Sequence, residues 1–447
     1  MKRVVLFVCA MLMTIVSVAD NELKGITLTS EEQKLVNSNN DFAFNLFRAA
    51  RTGESQILSP LSITYALGML NNGAAGETLK QINTVLGFGD AGAEAINAFC
   101  QKMLTEAPGL DELTKVMIAN TIYVNGARGY VLKEDFVGKA RLYYDAEPES
   151  RDFDDGKTRD VINQWGSDHT AGMIPEILKK NEFDADAVSY LLNALYFKGT
   201  WTLKFDEKET KEELFDDRYP LPMMHQENEI SYTENDDCQA LTLPYGNEAY
   251  RMTILLPRQG KSVNDVLKGL TAEKWQYLIW DMGEAIVDLK LPRFETTTSL
   301  RLEEIMSSLG MPNAFIPGIA EFPNFCNEKE LCIGLMKQVA KIEVNEEGTE
   351  AAAVTIIGVK TGMSGHVDPP HVKFHANRPF LYVISEQSTG SIFFIGQYLG
   401  NPTSAIAAPR LQQRPATGPL YNLSGQRLST PPSRGIYIND GKKIFVK

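Results

Sequence analysis

Residues 345–360 read NEEGTEAAAVTIIGVK, and the interpretation of the whole chain depends on this stretch. Its three consecutive alanines favour a helix, because alanine has the highest helix propensity. Gly348 before them and the β-branched residues after them favour a strand. With a period of two, Glu350 and Lys360 share one face, and the face that begins with Thr349 carries no charge. This alternation is typical of a strand that buries one side, although an alanine-rich loop or helix end remains an equal alternative from this stretch alone.

The chain has 447 residues, which is enough for one large domain or two to three ordinary ones. Its apolar content of 43% is ordinary for a globular protein. The formal net charge of −13 argues against nucleic acid and anionic membrane surfaces as partners. We therefore expect no nucleic-acid partner.

Residues 1–19 have the features of a secretory signal peptide. Lys2 and Arg3 precede an apolar run from Val4 to Val16, and small residues follow up to Ala19. The run is short for a membrane span. We expect cleavage after Ala19 and a secreted protein, extracellular or at the cell surface, with a periplasmic location or an uncleaved anchor as alternatives.

Four cysteines remain after removal of this segment: Cys100, Cys238, Cys326 and Cys332. Cys326 and Cys332 are close enough in sequence to form a bridge, but four cysteines in a chain of this size do not make a disulfide scaffold. No histidine or cysteine nearby has the spacing of metal ligands. We expect free or buried thiols and no metal.

Helical and strand patterns are mixed along the chain without a regular βαβ rhythm, which indicates the α+β class. Helical patterns occupy residues 40–50, 57–82 with a break at 73–76, and 299–311. Patterns typical of strands and hairpins occupy residues 116–126, 187–201, 243–257, 284–295 and 379–400.

The composition changes after Gly400. We expect a main domain over residues 20–402, a Pro- and Gln-rich linker over 403–418, and a small β tail over 419–447. The tail contains a hairpin pattern around Asp440 and Gly441 and is too small to hold a core alone.

The sequence nominates no catalytic group. The motif GMSGH at residues 362–366 is not a nucleophile elbow. His366, His371 and His375 lie near Asp368 with irregular spacing, so we interpret them as incidental residues of a loop. A hydrolase is therefore disfavoured, and we expect no enzyme activity and no cofactor.

Several motifs resemble those of the serpin family, in the family's order, from about residue 37 to residue 402. The matching segments are SPLSI at 59–63, NALYFKGTWTLKF at 193–205, LPRFE at 291–295, SLGMPNAF at 308–315, NEEGTEAAA at 345–353 and FHANRPFLYVI at 374–384. The resemblance implies the serpin fold, with three β-sheets, eight to nine helices and an exposed reactive-centre loop from about Gly348 to Val372.

The resemblance also implies a mechanism. A target protease attacks a bond in the loop and forms an acyl-enzyme, and the cut loop inserts into the main sheet and traps the protease. Residues 346–353 of this chain resemble the hinge of that loop. They are Glu346, Glu347, Gly348, Thr349, Glu350, Ala351, Ala352 and Ala353. No proline or inward charge in this hinge opposes burial.

Other residues match the family by position. Ser59, Ser62 and Asn193 match its polar cluster beneath the sheet opening, and Trp201 matches the tryptophan where insertion begins. Gln338 stands where many members have histidine. That departure leaves one hydrogen-bond partner open.

The scissile bond is expected within residues 360–364, that is Lys360, Thr361, Gly362, Met363 and Ser364. The family's usual count from Glu346 ends at Gly362, which offers a protease pocket no side chain. Lys360 suits a trypsin-like enzyme, and Met363 suits an elastase- or chymotrypsin-like one.

The expected partners are proteases of the trypsin, elastase, chymotrypsin and subtilisin types, bound by a monomer. Residues 104–116 are acidic, so we expect no heparin requirement. The alternative is a non-inhibitory serpin used for binding or storage, whose hinge would carry bulky or charged inward residues. The tail resembles C-terminal sorting segments of proteins secreted by Bacteroidetes, with a plain β appendage as the alternative.

Overall fold

The structure is a computed structural model that describes residues 23–89, 91–326, 331–349 and 369–400, with four short strands between residues 420 and 446. The signal segment, residues 350–368 and the linker lie outside the described residues. The chain divides into two compact units, Met1–Asn401 and Pro402–Lys447.

The described part of the first unit contains nine α-helices. They are α1 (Ser30–Ala50), α2 (Pro60–Asn71), α3 (Gly76–Leu86), α4 (Gly92–Glu106), α5 (Glu134–Tyr144), α6 (Thr158–Asp168), α7 (Val263–Gly269), α8 (Ala272–Trp280) and α9 (Glu303–Leu309). Helix α1 begins with a capping box formed by Thr29 and Glu32. Helix α2 begins at Pro60 after the cap residue Ser59, as the SPLSI motif predicts. Its twelve residues are all buried, which makes it the central helix of the core.

A six-stranded sheet positions the site. In order across the sheet, its strands are β10 (Phe294–Arg301), β11 (Leu335–Asn345), β12 (Gly348–Thr349), β4 (Ser189–Thr200), β2 (Thr114–Asn125) and β3 (Glu149–Arg151). Strands β11 and β4 also pair directly and in parallel, from Leu335 opposite Tyr190 to Lys341 opposite Tyr196. We call this parallel ladder the seam.

The second sheet has nine strands. They are β1 (Gln56–Leu58), β5 (Lys211–Phe215), β6 (Tyr219–Glu234), β7 (Cys238–Tyr245), β8 (Tyr250–Pro257), β9 (Gly283–Pro292), β13 (His371–His375), β14 (Phe380–Glu386) and β15 (Ile392–Tyr398). The sixteen-residue strand β6 pairs with β9 along most of its length and with β7 at its end. Because β6 is shared, two of the three sheets that the family resemblance implies form one continuous ladder here.

Both faces of the six-stranded sheet are covered. Helix α2 packs against β2 and β4 on one face. On the other face, Ile162 and Trp165 of α6 pack in a cluster with Leu192 of β4 and Val339 of β11. The sheet is therefore buried on both sides, which explains its nearly continuous apolar strands.

The α+β class is confirmed. Three details differ from the sequence interpretation. Residues 57–58 belong to strand β1 rather than to the following helix, because they pair with residues 395–396 of β15. Residues 299–301 belong to strand β10 rather than to the following helix, because they pair with residues 337–339 of β11. His371 and His375 bound strand β13 rather than lie in a loop, because this segment pairs in parallel with β9.

The cysteines and the metal prediction can be compared with the structure only where it describes the chain. Cys100, Cys238, Cys326 and Cys332 are buried thiols, and none of them forms a disulfide. Within residues 23–400, apart from the gaps given above, no group of three or more His, Cys, Asp or Glu side chains could hold a metal ion. No helix in that part is both long and apolar enough to cross a membrane.

The second unit contains four short strands in one sheet. They are β16 (Leu420–Asn422), β17 (Arg427–Leu428), β18 (Gly435–Asn439) and β19 (Lys442–Val446), in the order β17-β16-β18-β19. Strands β18 and β19 form the hairpin around Asp440 and Gly441 that the sequence predicts.

Candidate functional site: the hinge and the seam

Two residues of the predicted hinge already lie inside the six-stranded sheet. Gly348 pairs with Asn345 of β11 and Thr200 of β4, and Thr349 pairs with Val344 and Gly199. Both residues are buried. The expectation of an exposed loop that starts at Gly348 is therefore wrong for these two residues, because their backbone groups are satisfied between two strands.

Gly348 turns the chain from β11 into this position. Its φ of 145° is a conformation that side chains disfavour. A Cβ atom at this residue would lie 2.1 Å from the carbonyl oxygen of Gly199. The glycine that the sequence singled out is thus required both by backbone conformation and by close approach to β4.

Thr349 is enclosed beyond Lys341 and Tyr196, at the end of the seam that we call its upper end. Its side chain is 1% exposed, and its hydroxyl lies 2.8 Å from the hydroxyl of Tyr245. The Tyr245 ring stacks on Trp201 at a centroid distance of 4.3 Å. The indole nitrogen of Trp201 donates a 2.9 Å hydrogen bond to the Asn345 carbonyl. Trp201 therefore lies beside the hinge, where the family resemblance places it.

Glu346 anchors the start of the hinge. Its buried carboxylate accepts hydrogen bonds from Arg293 Nη2 at 2.6 Å and from Arg293 Nε at 3.1 Å. A third bond of 2.6 Å comes from the Thr210 hydroxyl. Burial by itself raises the pKa of Glu346, but the bonds from Arg293 and Thr210 outweigh it, so the pKa lies below its usual value. Hydrogen bonding to Glu346 raises the pKa of Arg293. The first hinge residue is therefore held as a carboxylate in a bidentate pair.

Glu347 holds the next position at a more solvent-exposed site than Glu346. Its carboxylate lies 2.5 Å from Lys204 Nζ, and its carbonyl accepts a 2.9 Å bond from the Trp201 amide. The hinge residues Glu346 and Glu347 are thus tied to the segment that follows β4. The remaining hinge residues, Glu350 to Ala353, lie outside the described residues.

A row of buried polar side chains crosses the seam near its middle. Gln338 of β11, Asn193 of β4 and Asn120 of β2 lie opposite one another. Gln338 Nε2 donates to Asn193 Oδ1 at 2.6 Å, and Asn193 Nδ2 donates to Asn120 Oδ1 at 2.6 Å. The network therefore links the two strands of the seam and the strand beyond them.

The row is fastened to the N-terminus of α2. Asn193 Nδ2 donates to the hydroxyl and the carbonyl of Ser62. Gln338 donates from Nε2 to the Ser59 carbonyl and accepts from the Ser59 amide, both at 3.0 Å. Both the oxygen and the nitrogen of the Gln338 amide thus have partners. The hydrogen-bond partners that the sequence left open at this position are Ser59 and Asn193. Ser59, Ser62, Asn193 and Gln338 form one cluster, and Trp201 belongs to the hinge end of the seam.

The reactive-bond candidates Lys360, Thr361, Gly362, Met363 and Ser364 lie outside the described residues. Sequence reasoning missed four side chains of the site: Asn120, Thr210, Tyr245 and Arg293. Asn120 could have been found as a polar residue inside an apolar strand, and Arg293 lies within the quoted LPRFE motif. Thr210 and Tyr245 gave no comparable signal, because their partners are more than 100 residues away.

We predict that Glu346→Gln lowers the stability of the native protein by about 1.5–3 kcal/mol, the usual range for a hydrogen bond to a charged group. The measurement is urea unfolding followed by tryptophan fluorescence. Because the pKa of Glu346 is lowered in the folded state, its contribution is present above its ordinary value of 4.5 and is lost as the pH falls below it. The variant should therefore converge with the wild type in acid. Glu209→Gln removes an exposed ion pair and serves as the control. Equal effects of the two substitutions would contradict the anchoring role.

Comparisons with known proteins agree with this geometry. The family model described as Serpin (serine protease inhibitor) matches residues 37–401. An uncharacterized serpin-like protein of Thermococcus kodakarensis is 32% identical over 378 residues, 83% of this chain and 87% of that protein. The leukocyte elastase inhibitor of Equus caballus is 32% identical over 387 residues, 82% of this chain and 99% of that protein.

Solved structures give the same result. Tengpin, a thermophilic serpin solved in its native state, superposes with a TM-score of 0.75 at 30% identity and covers 85% of this chain and 97% of its own. Human thyroxine-binding globulin has a TM-score of 0.73 over 82% of this chain and 98% of its own, and at 24% identity it shows the fold alone. The family match covers the hinge and both strands of the seam. The chain belongs to the serpin family.

Proposed function

We propose that this protein is a suicide inhibitor of serine proteases, with cysteine proteases as a further target class, that traps an acyl-enzyme by inserting its cut loop between β11 and β4. The observation that carries the proposal is strand β12. Gly348 and Thr349 already form antiparallel pairs with both strands at the upper end of the seam. Serpins are mostly protease inhibitors, and the relatives of this chain include an elastase inhibitor and a plasminogen activator inhibitor.

The register of β12 can be continued along the seam. If the observed register is extended residue by residue, Ala352 of the inserted loop would lie between Lys341 and Tyr196. Gly358 would lie between Leu335 and Tyr190. An inserted segment from Ala352 to Gly358 would therefore replace the whole parallel ladder. The expected scissile bond, within residues 360–364, follows this segment, so a cut there frees enough chain for complete insertion.

Side-chain alternation supports the same register. Thr349 points to the face of the sheet that carries Gln338 and Asn193, and its hydroxyl meets Tyr245 there. Residues two apart share a face, so Ala351, Ala353, Thr355 and later odd-numbered residues would follow Thr349 into the interior. None of the residues on that face between Thr349 and Val359 is charged. Burial of this face needs no unpaired charge.

Insertion exchanges one parallel ladder for two antiparallel ones. Parallel pairing is slightly less stable per residue, and the new strand also removes apolar side chains from water. The inserted form is therefore expected to be the more stable one. The intact form would persist because opening the seam must first break the buried network of Gln338 and Asn193, so its stability is kinetic.

We also propose that the protein is secreted and that the tail is a sorting segment, on the basis of the features of residues 1–19 and 419–447. The mass of the exported protein tests this proposal. A mature chain that begins at Asp20 would support it, and a chain that retains Met1 outside the cell would contradict it.

We predict an SDS-stable complex with at least one of trypsin, elastase, chymotrypsin and subtilisin. An acyl-enzyme trapped by insertion survives denaturation because its ester bond is covalent. Gel electrophoresis detects the complex, and mass spectrometry of the released peptide locates the cut, which we expect within residues 360–364. If every protease cleaves the loop and leaves active, a binding or storage function takes the place of inhibition.

Variants at Thr349 provide the matched controls. Thr349→Ser keeps the hydroxyl that meets Tyr245 and should still form the complex. Thr349→Arg would place a cation in a buried site, at a cost of several kcal/mol. Because Thr349 is already buried between β11 and β4, the arginine should expel β12 from the sheet. Insertion would then begin from outside the seam and be slower than deacylation, so the protein would become a substrate. Normal complex formation by Thr349→Arg would show that the register is wrong.

We predict that a single cut within residues 360–364 raises the melting temperature sharply. The cut loop can form the two antiparallel ladders, whereas a nick in an ordinary surface loop is neutral or destabilising. The measurement is thermal unfolding before and after limited proteolysis, with a gel to confirm one cut. Equal melting temperatures would mean that the loop does not insert.

A further inference from the structure

A segment between α6 and β4 crosses the face of the six-stranded sheet. We call residues 179–187 the strap. On the β4 side, the Tyr190 hydroxyl donates to the Asp184 carbonyl at 2.8 Å and accepts from the Asp184 amide at 2.6 Å. On the β2 side, Asn125 Nδ2 donates to the carbonyls of Ala185 and Ala187 at 2.8 and 2.9 Å. The strap is thus fixed to the two strands on one side of the seam.

The strap is fastened to the other side of the seam by an ion pair. Lys337 Nζ of β11 lies 2.6 Å from Glu182 Oε2. The Lys337 side chain is 1% exposed, so its charge depends on this partner. Burial lowers the pKa of Lys337 and Glu182 opposes that shift. The same Glu182 oxygen accepts a 2.8 Å bond from the Lys179 amide, which fixes the carboxylate within the strap.

These contacts place the strap across the line along which the sheet would open. Lys337 lies opposite Leu192 of β4, two residues from Tyr190. A strand inserted at this level would move β11 away from β4 by one further strand spacing, about 4.8 Å. A strap held by Tyr190 and Asn125 would stay with β4 and β2. The Lys337–Glu182 bond could not span the added distance.

We propose that Lys337 and Glu182 form a clasp that must open before the loop can insert fully, and that they thereby restrain full insertion in the intact protein. The inference rests on the loop insertion proposed above and identifies two positioning residues for it. The clasp lies well below the present end of β12. Thr349 pairs with Val344, and Lys337 is seven residues further along β11, roughly 23 Å at strand spacing. Insertion can therefore begin with the clasp closed, but it cannot be completed.

The chain offers a matched control. Lys341, on the same strand, forms a 3.0 Å ion pair with Glu295 of β10. Strands β10 and β11 pair directly along Phe294–Arg301, outside the seam, so insertion leaves their ladder intact. Glu295→Gln therefore removes an ion pair of β11 but leaves the Lys337–Glu182 ion pair across the seam in place.

The test measures insertion without a protease. A synthetic peptide with the sequence of residues 349–360 is incubated with the full chain, and its incorporation is followed by native gel electrophoresis and mass spectrometry. Glu182→Gln and Lys337→Met should each accelerate incorporation about tenfold, the effect of one charge-assisted hydrogen bond. Glu295→Gln should stay within about twofold of the wild type.

Two further readouts separate a clasp from a general loss of stability. The double variant Glu182→Gln/Lys337→Met should incorporate the peptide no faster than Lys337→Met alone, because each substitution breaks the same bond. Hydrogen exchange in residues 179–187 should rise in both single variants and stay unchanged in Glu295→Gln. A merely structural role would instead make the effects additive and would accelerate the control as well.

The outcomes distinguish this inference from the proposed function. Faster incorporation in the clasp variants without any SDS-stable protease complex would support the clasp and contradict inhibition. Equal incorporation rates in all variants would overturn the clasp and leave inhibition standing. No incorporation in any variant, with no rise in melting temperature after cleavage, would overturn both.

Discussion

The parallel ladder between β11 and β4 is the interaction on which the rest of the structure depends. Its two strands are separated by more than 130 residues in sequence, and they meet in the middle of a sheet that is buried on both faces. Parallel pairing leaves each strand able to accept an antiparallel neighbour with better hydrogen-bond geometry. Strand β12 occupies that position for two residues at one end. The native sheet therefore contains both arrangements, closed along the seam and parted at its upper end.

Buried polar groups hold the two strands of the seam together. Gln338 and Asn193 cross it on the face toward α2, and the bond from Lys337 to Glu182 crosses it on the opposite face. In a region of low dielectric, each of these bonds is costly to break unless a new partner is supplied at once. Two faces of one ladder are thus held by independent polar contacts. Under the proposed insertion, this arrangement would give a barrier without requiring that the closed state be the most stable one.

The hinge end is built differently. Glu346 is held by Arg293 and Thr210, while Gly348 has a backbone conformation that only glycine tolerates well. The hydrogen bonds of Glu346 fix where the chain leaves β11. The conformation of Gly348 turns the chain back between the two strands. Thr349 is then enclosed beside Tyr245 and Trp201. These contacts together fix the position of β12.

Much of the fold could be predicted from residue patterns. The apolar strands that became β2 and β4, the hairpin within residues 243–257, and the helix that begins after Ser59 all depend on short-range propensities and side-chain periodicity. Predictions failed where a distant partner overrode a local preference. Residues 299–301 look helical but pair with β11. His375 looks like part of a loop, but it lies in a strand that pairs with β9, and its imidazole contacts Asp288 at 3.2 Å.

Short-range patterns are enough to show that residues 349–359 have one uncharged face and that a glycine precedes this face. These are properties of neighbouring residues, and a period of two is enough to see them. Only the tertiary structure decided that Thr349 lies inside the sheet, that Glu346 pairs with Arg293, and that Lys337 reaches Glu182 across 155 residues of sequence. Such contacts depend on which strands become neighbours and in which register. Local pattern does not contain that information, because burial and pairing partners are set by the packing of the whole chain.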